Sequence, residues 1–393
     1  MFRVIAFALA FITTLGGTAF AADKPELRIG SVIALTGPAS ALGLPARNAL
    51  VLLEEELAKD KSLPFTVKFI TYDDASDPTR AVNGVRKLVS EDRVHVVICC
   101  STTPASMAIL ETVTQAQVPN ISLALAASVI SPASERKWIF KTPSTDRLQV
   151  STIIDDIIKR GGKRIAFFGQ EDSYGEGGWL ALNEVAKEKG LQIVAAERFA
   201  RTDTNFTPQA LRIRQANPDT VYFHAIPPSS VLSHQALKRV GYTGPIYHSG
   251  GSANNAFINL GKADVEGAFV ATTPVLIYSD LPDSNPLRAS ITKFAAIYEK
   301  RFNVEKVDIF PGQAWDAGNI ILAAVRKALA SNAKLEDVAA ARAAIRNAIE
   351  TTTNFVGVGG IFDYSATDHL GLDQRSTFIA EVKNGKFVLY RSK

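Results

Sequence analysis

Short β-branched runs alternate with longer stretches of helical spacing along most of this chain, as in βαβ units built round a parallel sheet. The first series reads LRIGSVI, a helix from about Pro45 to Lys59, FTVKFITY, a helix from about Pro78 to Glu91, RVHVVIC, a helix from Pro104 to about Gln115, and NISLALA. In the second of these helices Val82, Val85, Leu88 and Val89 share one face, which is expected to pack on the sheet. A second series follows KWIFKTPSTD: RIAFFG, a helix near Gly178 to Lys189, LQIVAAE, a helix near Pro208 to Ala216, TVYFHA, a further helix, PIYHS and GAFVATTP. The rest is mostly helical, over Asn285 to Arg301, Pro311 to Ala330 and Leu335 to Glu350, with strands near Thr377 to Val382 and Phe387 to Tyr390. That is too little for a third sheet domain.

A length of 393 residues gives each of two domains its own core. The late helices are expected to return to the first lobe and the last strands to the second. The lobes then comprise residues 22–142 with 275–357, and 143–274 with 358–393. The Pro-containing segments near Thr142 to Ser144 and Thr272 to Pro274 are the expected crossovers.

The opening MFRVIAFALAFITTLGGTAFA has a basic start at Arg3, an apolar run from Val4 to Leu15, and an Ala19, Phe20, Ala21 ending suited to signal-peptidase cleavage. Residues 1–21 are therefore expected to be an export signal. The apolar run is shorter than the ~20 residues of a spanning helix, and no cysteine precedes Cys99 for lipid attachment, so no membrane anchor is expected. Without Arg3 the chain has 42 basic and 39 acidic residues and no basic tract, which argues against nucleic acid as a partner. The only two cysteines, Cys99 and Cys100, are neighbours, so no long disulfide can staple the fold.

Open α/β sheets bind ligands at the carboxyl ends of their strands, and two lobes can face those ends across a cleft. ICCSTTPAS, residues 98–106, sits at such an end. Thr103 can cap the next helix with Pro104 at its first position, leaving amides and a positive dipole end directed into the cleft. The hydroxyls of Ser101, Thr102 and Thr103 can donate to a carboxylate, or serve only as caps. As a nucleophile, Cys99 or Cys100 lacks a recognisable oriented base, and no GxSxG elbow occurs. His95, His224, His234, His248 and His369 are scattered, without CxxC or HExxH spacing, so no metal is expected.

EDSYGEGGW, residues 171–179, has neither GK[ST] nor GxGxxG, so no nucleotide cofactor is expected. Its Tyr174 can meet a ligand across the cleft or pack at a helix start. Asp73 and Asp74 in YDDASDPTRAV read as turn formers, and Asp77 before Pro78 as a helix start. His224 and His248 end strands and are further candidates for the cleft.

IALTGPASALG (33–43), YDDASDPTRAV (72–82), STTPAS (101–106), DSYGEG (172–177), FINLGKADVEGAFV (257–270) and AWDAG (314–318), in this order and spacing, resemble the type I periplasmic binding proteins of branched-chain amino acid importers, the Leu/Ile/Val-binding family. The resemblance implies two Rossmann-like α/β lobes with parallel sheets, joined by a multi-segment hinge. It implies a non-enzymatic, monomeric flytrap without cofactor that captures a small carboxylate in the periplasm and presents it to an ABC permease. In that family the carboxylate is held by the loops matching Ser101 to Thr103 and Ala124 to Ala127. Ala126 stands near the family's second-loop threonine, which would leave amides alone to serve there. The resemblance places Tyr174 on the closing lobe and side-chain pockets at Leu42, Ile226 and the Phe310 to Trp315 segment.

Two departures matter. The family's disulfide to the YDDAxDP loop cannot form, because the position is Ser76. Its amino-acid binders set a glutamate against the ligand ammonium where this chain has Gly250. An unpaired buried ammonium costs several kcal/mol, a large share of the roughly 8 kcal/mol of micromolar binding. An amino acid is thus disfavoured unless Glu171, Asp172 or Asp316 substitutes. The TGPASALG, STTP and RKWIFKTP variants resemble a branch that binds aromatic or 2-oxo carboxylates. A sensory receptor domain on the same fold and an exported enzyme are the competing classes.

Overall fold

The β-branched runs become strands, and the inner ones are buried on both faces, which is why they read as nearly continuous apolar stretches, while the edge runs FTVKFITY and LQIVAAE are half-exposed. The computed structural model describes residues 24–392; the expected export signal lies outside the described residues. The first lobe is built from β1 (Glu26–Ile33), α1 (Ser40–Lys59), β2 (Thr66–Asp73), α2 (Pro78–Ser90), β3 (Val96–Cys99), α3 (Thr103–Ala108), α4 (Leu110–Gln115), β4 (Asn120–Ser122) and β5 (Ile139–Lys141). Its strands are all parallel, in the order β2-β1-β3-β4-β5.

The second lobe follows with α5 (Asp146–Lys159), β6 (Arg164–Gln170), α6 (Ser173–Lys189), β7 (Gln192–Phe199), α7 (Thr207–Gln215), β8 (Thr220–His224), α8 (Ser229–Arg239), β9 (Ile246–His248), α9 (Asn255–Gly261) and β10 (Phe269–Thr272). The chain continues through α10 (Arg288–Phe302), α11 (Ile309–Ala330), α12 (Val338–Glu350), the short pair β11 (Phe355–Val356) and β12 (Ile361–Phe362), and ends with β13 (Phe378–Lys383) and β14 (Lys386–Leu389). The second sheet runs β14-β13-β10-β9-β8-β6-β7, with β13 antiparallel to both of its neighbours.

Both lobes repeat one strand order, in which the second strand lies outside the first and the third inside it. Successive connections therefore leave in opposite directions between β1 and β3, and again between β6 and β8. Such switch points open a crevice beyond the carboxyl ends of the strands.

The late helices lie on the first lobe. α11 packs along α1, and Arg342 of α12 donates to the Val94 carbonyl at 2.8 and 2.9 Å. The chain stays beside β5 past Val358. The Tyr364 hydroxyl donates to the Lys141 carbonyl at 2.9 Å, and the Lys141 amide to the His369 carbonyl at 3.2 Å. Gln374 then donates to the Leu148 carbonyl of the second lobe at 3.0 Å.

Several helix starts differ from those expected. α1 begins at Ser40 and carries Pro45 inside it. The segment after β3 breaks at Ile109 into α3 and α4. α6 takes in the Gly-rich run because the Asp172 carboxylate caps it, accepting from the amides of Tyr174 and Gly175 at 2.9 and 3.0 Å. Gly178 sits there for a close approach: a Cβ would lie 2.2 Å from the His224 ring.

Candidate functional site

The loops beyond β1, β3 and β4 face those beyond β6, β7, β8 and β9 across a narrow cavity. The first lobe contributes Leu42, Ser101, Thr102, Thr103, Leu123 and Leu125. The second contributes Tyr174, Arg201, Ile226, Gly250 and Gly251. Pro143 of a crossover and Ile309, Phe310 and Gln313 at the start of α11 complete the wall. Most of this wall is apolar, with polar groups gathered at a few points, as in small-molecule sites generally.

One such point is the end of β3. Cys99 and Cys100 are bonded to each other and fully buried, so neither is a free thiol. The strand end is tied to its neighbour by Asn120, whose Nδ2 donates to the Cys99 carbonyl at 2.9 Å. Ser106 Oγ accepts from the Cys100 amide at 3.1 Å and meets Ser122 Oγ at 3.0 Å, joining the loops after β3 and β4. Ser101 Oγ accepts from the Ala34 amide at 3.4 Å. Thr102, not Thr103, is the capping position of α3, and it makes no side-chain cap bond. Thr103 Oγ1 is buried without a partner. A buried unpaired hydroxyl is unfavourable, and a carboxylate in the cavity would satisfy it.

Across the cleft, Tyr174 projects from the first turn of α6. Its hydroxyl lies 2.8 Å from Ser249 Oγ and its ring 4.1 Å from that of His224. Burial pushes the phenol well above its usual range, so it stays protonated and able to donate. Gly251 permits this placement, since a Cβ there would lie 2.5 Å from the Tyr174 hydroxyl. Behind the tyrosine, His224 Nε2 stands 3.3 Å from Asp146 Oδ1, and Asp146 Oδ2 accepts from the Ala127 amide of the first lobe at 3.3 Å.

No acidic side chain among the described residues lines the cavity. Where the resemblance calls for a glutamate, the space at Gly250 belongs to Gln149. Gln149 Oε1 accepts from the Gly250 amide at 2.8 Å, and its Nε2 is 2.6 Å from where a Cβ would stand. The proposed substitutes are elsewhere. Asp316 accepts from the amides of Val358 and Gly359 at 2.8 and 2.7 Å and is buried away from this cavity. Asp172 caps α6 and pairs with Arg201 at 2.8 Å. Glu171 is exposed and does not line the cavity.

Of the site residues expected from sequence, Leu42, Ser101, Thr102, Thr103, Tyr174, Ile226, Gly250 and Phe310 meet at this cavity. Four do not. Trp315 lies one helical face away, its ring centroid 4.9 Å from that of Phe294, beside an outer groove between α10 and α11. Ala124, Ala126 and Ala127 are replaced at the wall by Leu123 and Leu125. The Ala124 amide is taken by Ser122 Oγ at 3.1 Å, the Ala127 amide by Asp146, and the Ala126 carbonyl by Lys141 Nζ at 3.4 Å. His248 also lies outside the wall, stacked on Phe223 and 3.0 Å from His234. Gln313, within the expected Phe310 to Trp315 segment, is at the wall; sequence reasoning missed Ile309, Leu123, Leu125 and, most of all, Arg201, which sits in a loop without a motif. Ser76 takes the place of the absent disulfide with hydrogen bonds: its Oγ donates to the Thr36 carbonyl at 2.9 Å and accepts from the Ala39 amide at 3.0 Å.

A family model described as periplasmic binding protein matches residues 26–386. The chain belongs to that family. This binding protein is similar to an extracellular ligand-binding receptor from Rhodopseudomonas palustris, with 33% identity and a TM-score of 0.88 over 94% of this chain and 100% of that one. It is 25% identical over 388 residues to a leucine-, isoleucine-, valine-, threonine- and alanine-binding protein of Pseudomonas aeruginosa, covering 98% of this chain and 94% of that relative. A leucine-binding protein from Thermotoga maritima shares the fold at 22% identity and a TM-score of 0.80, over 93% of this chain and 98% of that one. The family is one of solute-binding proteins, and this member is a binding protein rather than an enzyme.

Proposed function

We propose that this protein is the periplasmic capture component of an ABC importer of the branched-chain amino acid type, and that its ligand is a small organic acid without an ammonium group. Aromatic and branched 2-oxo acids are the favoured members. The observation that carries this reading is the cavity wall: hydroxyls at one end, apolar side chains along most of its length, and no carboxylate. A ligand ammonium there would be buried unpaired, at a cost of several kcal/mol. Ser101, Thr102 and Thr103 receive the carboxylate, Tyr174 closes on it from the second lobe, and Leu42, Ile226 and Phe310 sheathe the tail. A ligand touching both lobes favours the closed arrangement, which is the form presented as a monomer to the permease.

The relatives' names favour a second reading, a branched-chain amino acid. Titration calorimetry with phenylpyruvate, 4-methyl-2-oxopentanoate, phenylalanine and leucine separates the two. The oxo acids are expected to bind and to raise the melting temperature, by about 2.7 kcal/mol of stabilisation at a hundred times Kd. Leucine bound more tightly than its 2-oxo counterpart would sink the reading.

A further inference from the structure

We infer that Arg201 is a specificity-determining residue of this site, selecting acids whose far end carries a neutral oxygen acceptor such as a ring hydroxyl or a carbonyl. This deepens the proposed function and rests on it.

Arg201 is the only charged residue at the cavity wall among the described residues. It follows β7, the edge strand of the second sheet, and its charge is felt by Asp74, which follows β2, the edge strand of the first. The arginine thus marks one lateral end of the cleft. The hydroxyl cradle follows β3, two strands in from β2, which places it about 10 Å from that end at the usual strand spacing. Gly250 follows β9, three strands in from β7, on the other side. A carboxylate in the cradle with a tail of about that length, such as a phenyl ring on a short chain, would span the distance to Arg201.

The chemistry Arg201 offers there is hydrogen bonding without net charge. A guanidinium has five N–H groups, and among the described residues this one donates to Asp172 alone, at 2.8 Å. The same Asp172 caps α6 through its other oxygen, so it holds Arg201 in place while fixing Tyr174 at the start of that helix. Asp172 offsets the arginine's charge, and Asp74 adds a further carboxylate on the facing lobe. Burial raises Asp74 to about 6, and its Oδ2 has no partner among the described residues. A second ligand carboxylate would have to compete with Asp172, which already pairs with the arginine. A hydroxyl or carbonyl oxygen can accept from the free N–H groups without that competition.

The test is calorimetry on the mature protein with 3-phenylpropanoate, 3-(4-hydroxyphenyl)propanoate and 3-(4-carboxyphenyl)propanoate. The hydroxylated acid is expected to bind on the order of tenfold more tightly than the unsubstituted one, and the dicarboxylate more weakly than either. In Arg201→Met the ratio between the first two falls to about one, and in Arg201→Lys it is partly kept. The ligand series on the unmodified protein stands even if a variant folds poorly. Equal affinities for the first two acids, a preference for the dicarboxylate, or a hydroxyl advantage that survives in a folded Arg201→Met would each overturn the role of Arg201 while leaving the organic-acid reading intact. Failure of all three acids and of the 2-oxo acids to bind would overturn both.

Discussion

Replacing Thr103 by valine should move affinity and stability in different directions. Thr103 Oγ1 is buried without a partner among the described residues, in a residue only 2% exposed. A buried hydroxyl left unpaired costs about 1–3 kcal/mol. Valine has nearly the same shape and removes that atom, so the unfolding free energy without ligand should hold steady or rise by up to about 1 kcal/mol. With ligand bound, the same hydroxyl donates to a carboxylate, an interaction with a charged partner of about 1.5–3 kcal/mol. Its loss should raise Kd for phenylpyruvate roughly 10- to 150-fold. Calorimetry gives the first quantity and urea unfolding of the ligand-free protein the second, with Thr103→Ser as the variant that restores the donor. An affinity change below about threefold, or a stability loss that parallels the affinity loss, would show that this hydroxyl is a structural group and not a ligand contact.

Tyr174→Ala should weaken acid binding by about tenfold or more, since it strips an aromatic wall and a donor from the closing lobe. Asp73→Ala should chiefly lower stability, because its carboxylate serves the amides of Leu35, Thr36 and Ala75; equal affinity losses in the two variants would mean the cleft is misassigned. Trp315→Ala should leave affinity within about threefold while lowering stability by about 1–3 kcal/mol through lost packing against Phe294, so a large affinity loss would return Trp315 to the site. Gly250→Glu should not confer leucine binding, because the new side chain must displace Gln149 from its 2.8 Å bond to the Gly250 amide; calorimetry with leucine checks it. Burial lowers Lys141 to about 7 from 10.5, with Asp146 opposing the shift. Between those values the unfolded chain holds a proton that the folded chain has released, so stability should rise with pH across that window relative to Lys141→Met. Parallel stability–pH profiles for the two proteins would contradict it.

Much of the cradle was legible because its signals are local. Asp77 before Pro78 reads as a cap, and its carboxylate does accept from the Arg80 amide at 2.8 Å. Ser101 to Thr103 follow a strand end and precede a proline, which is enough to set hydroxyls at the mouth of a parallel sheet. The Gly-rich run at Gly175 to Gly178 was less legible, because Gly178 is demanded by the His224 ring, a contact between residues 46 positions apart. Trp315 was misplaced for a related reason. It lies five residues beyond Phe310 on one helix, which turns it about 140° away, so a segment cannot line a cavity with all its members. The alanines after β4 lost their expected role to Ser122, Asp146 and Lys141, partners that only packing brings within reach.

The chain's periodicities and strand-end motifs determined two α/β lobes and the hydroxyls after β3, because each depends on residues near one another in sequence; the missing acid at Gly250 came from the resemblance to the Leu/Ile/Val-binding family. Tertiary structure decided what surrounds them. Gln149 occupies the space at Gly250, Thr103 is left without a partner, and Arg201 stands at the edge of the second sheet on the same side as Asp74. Those facts depend on strand order and lobe apposition, which bring together groups separated by about a hundred residues and leave no local pattern to read.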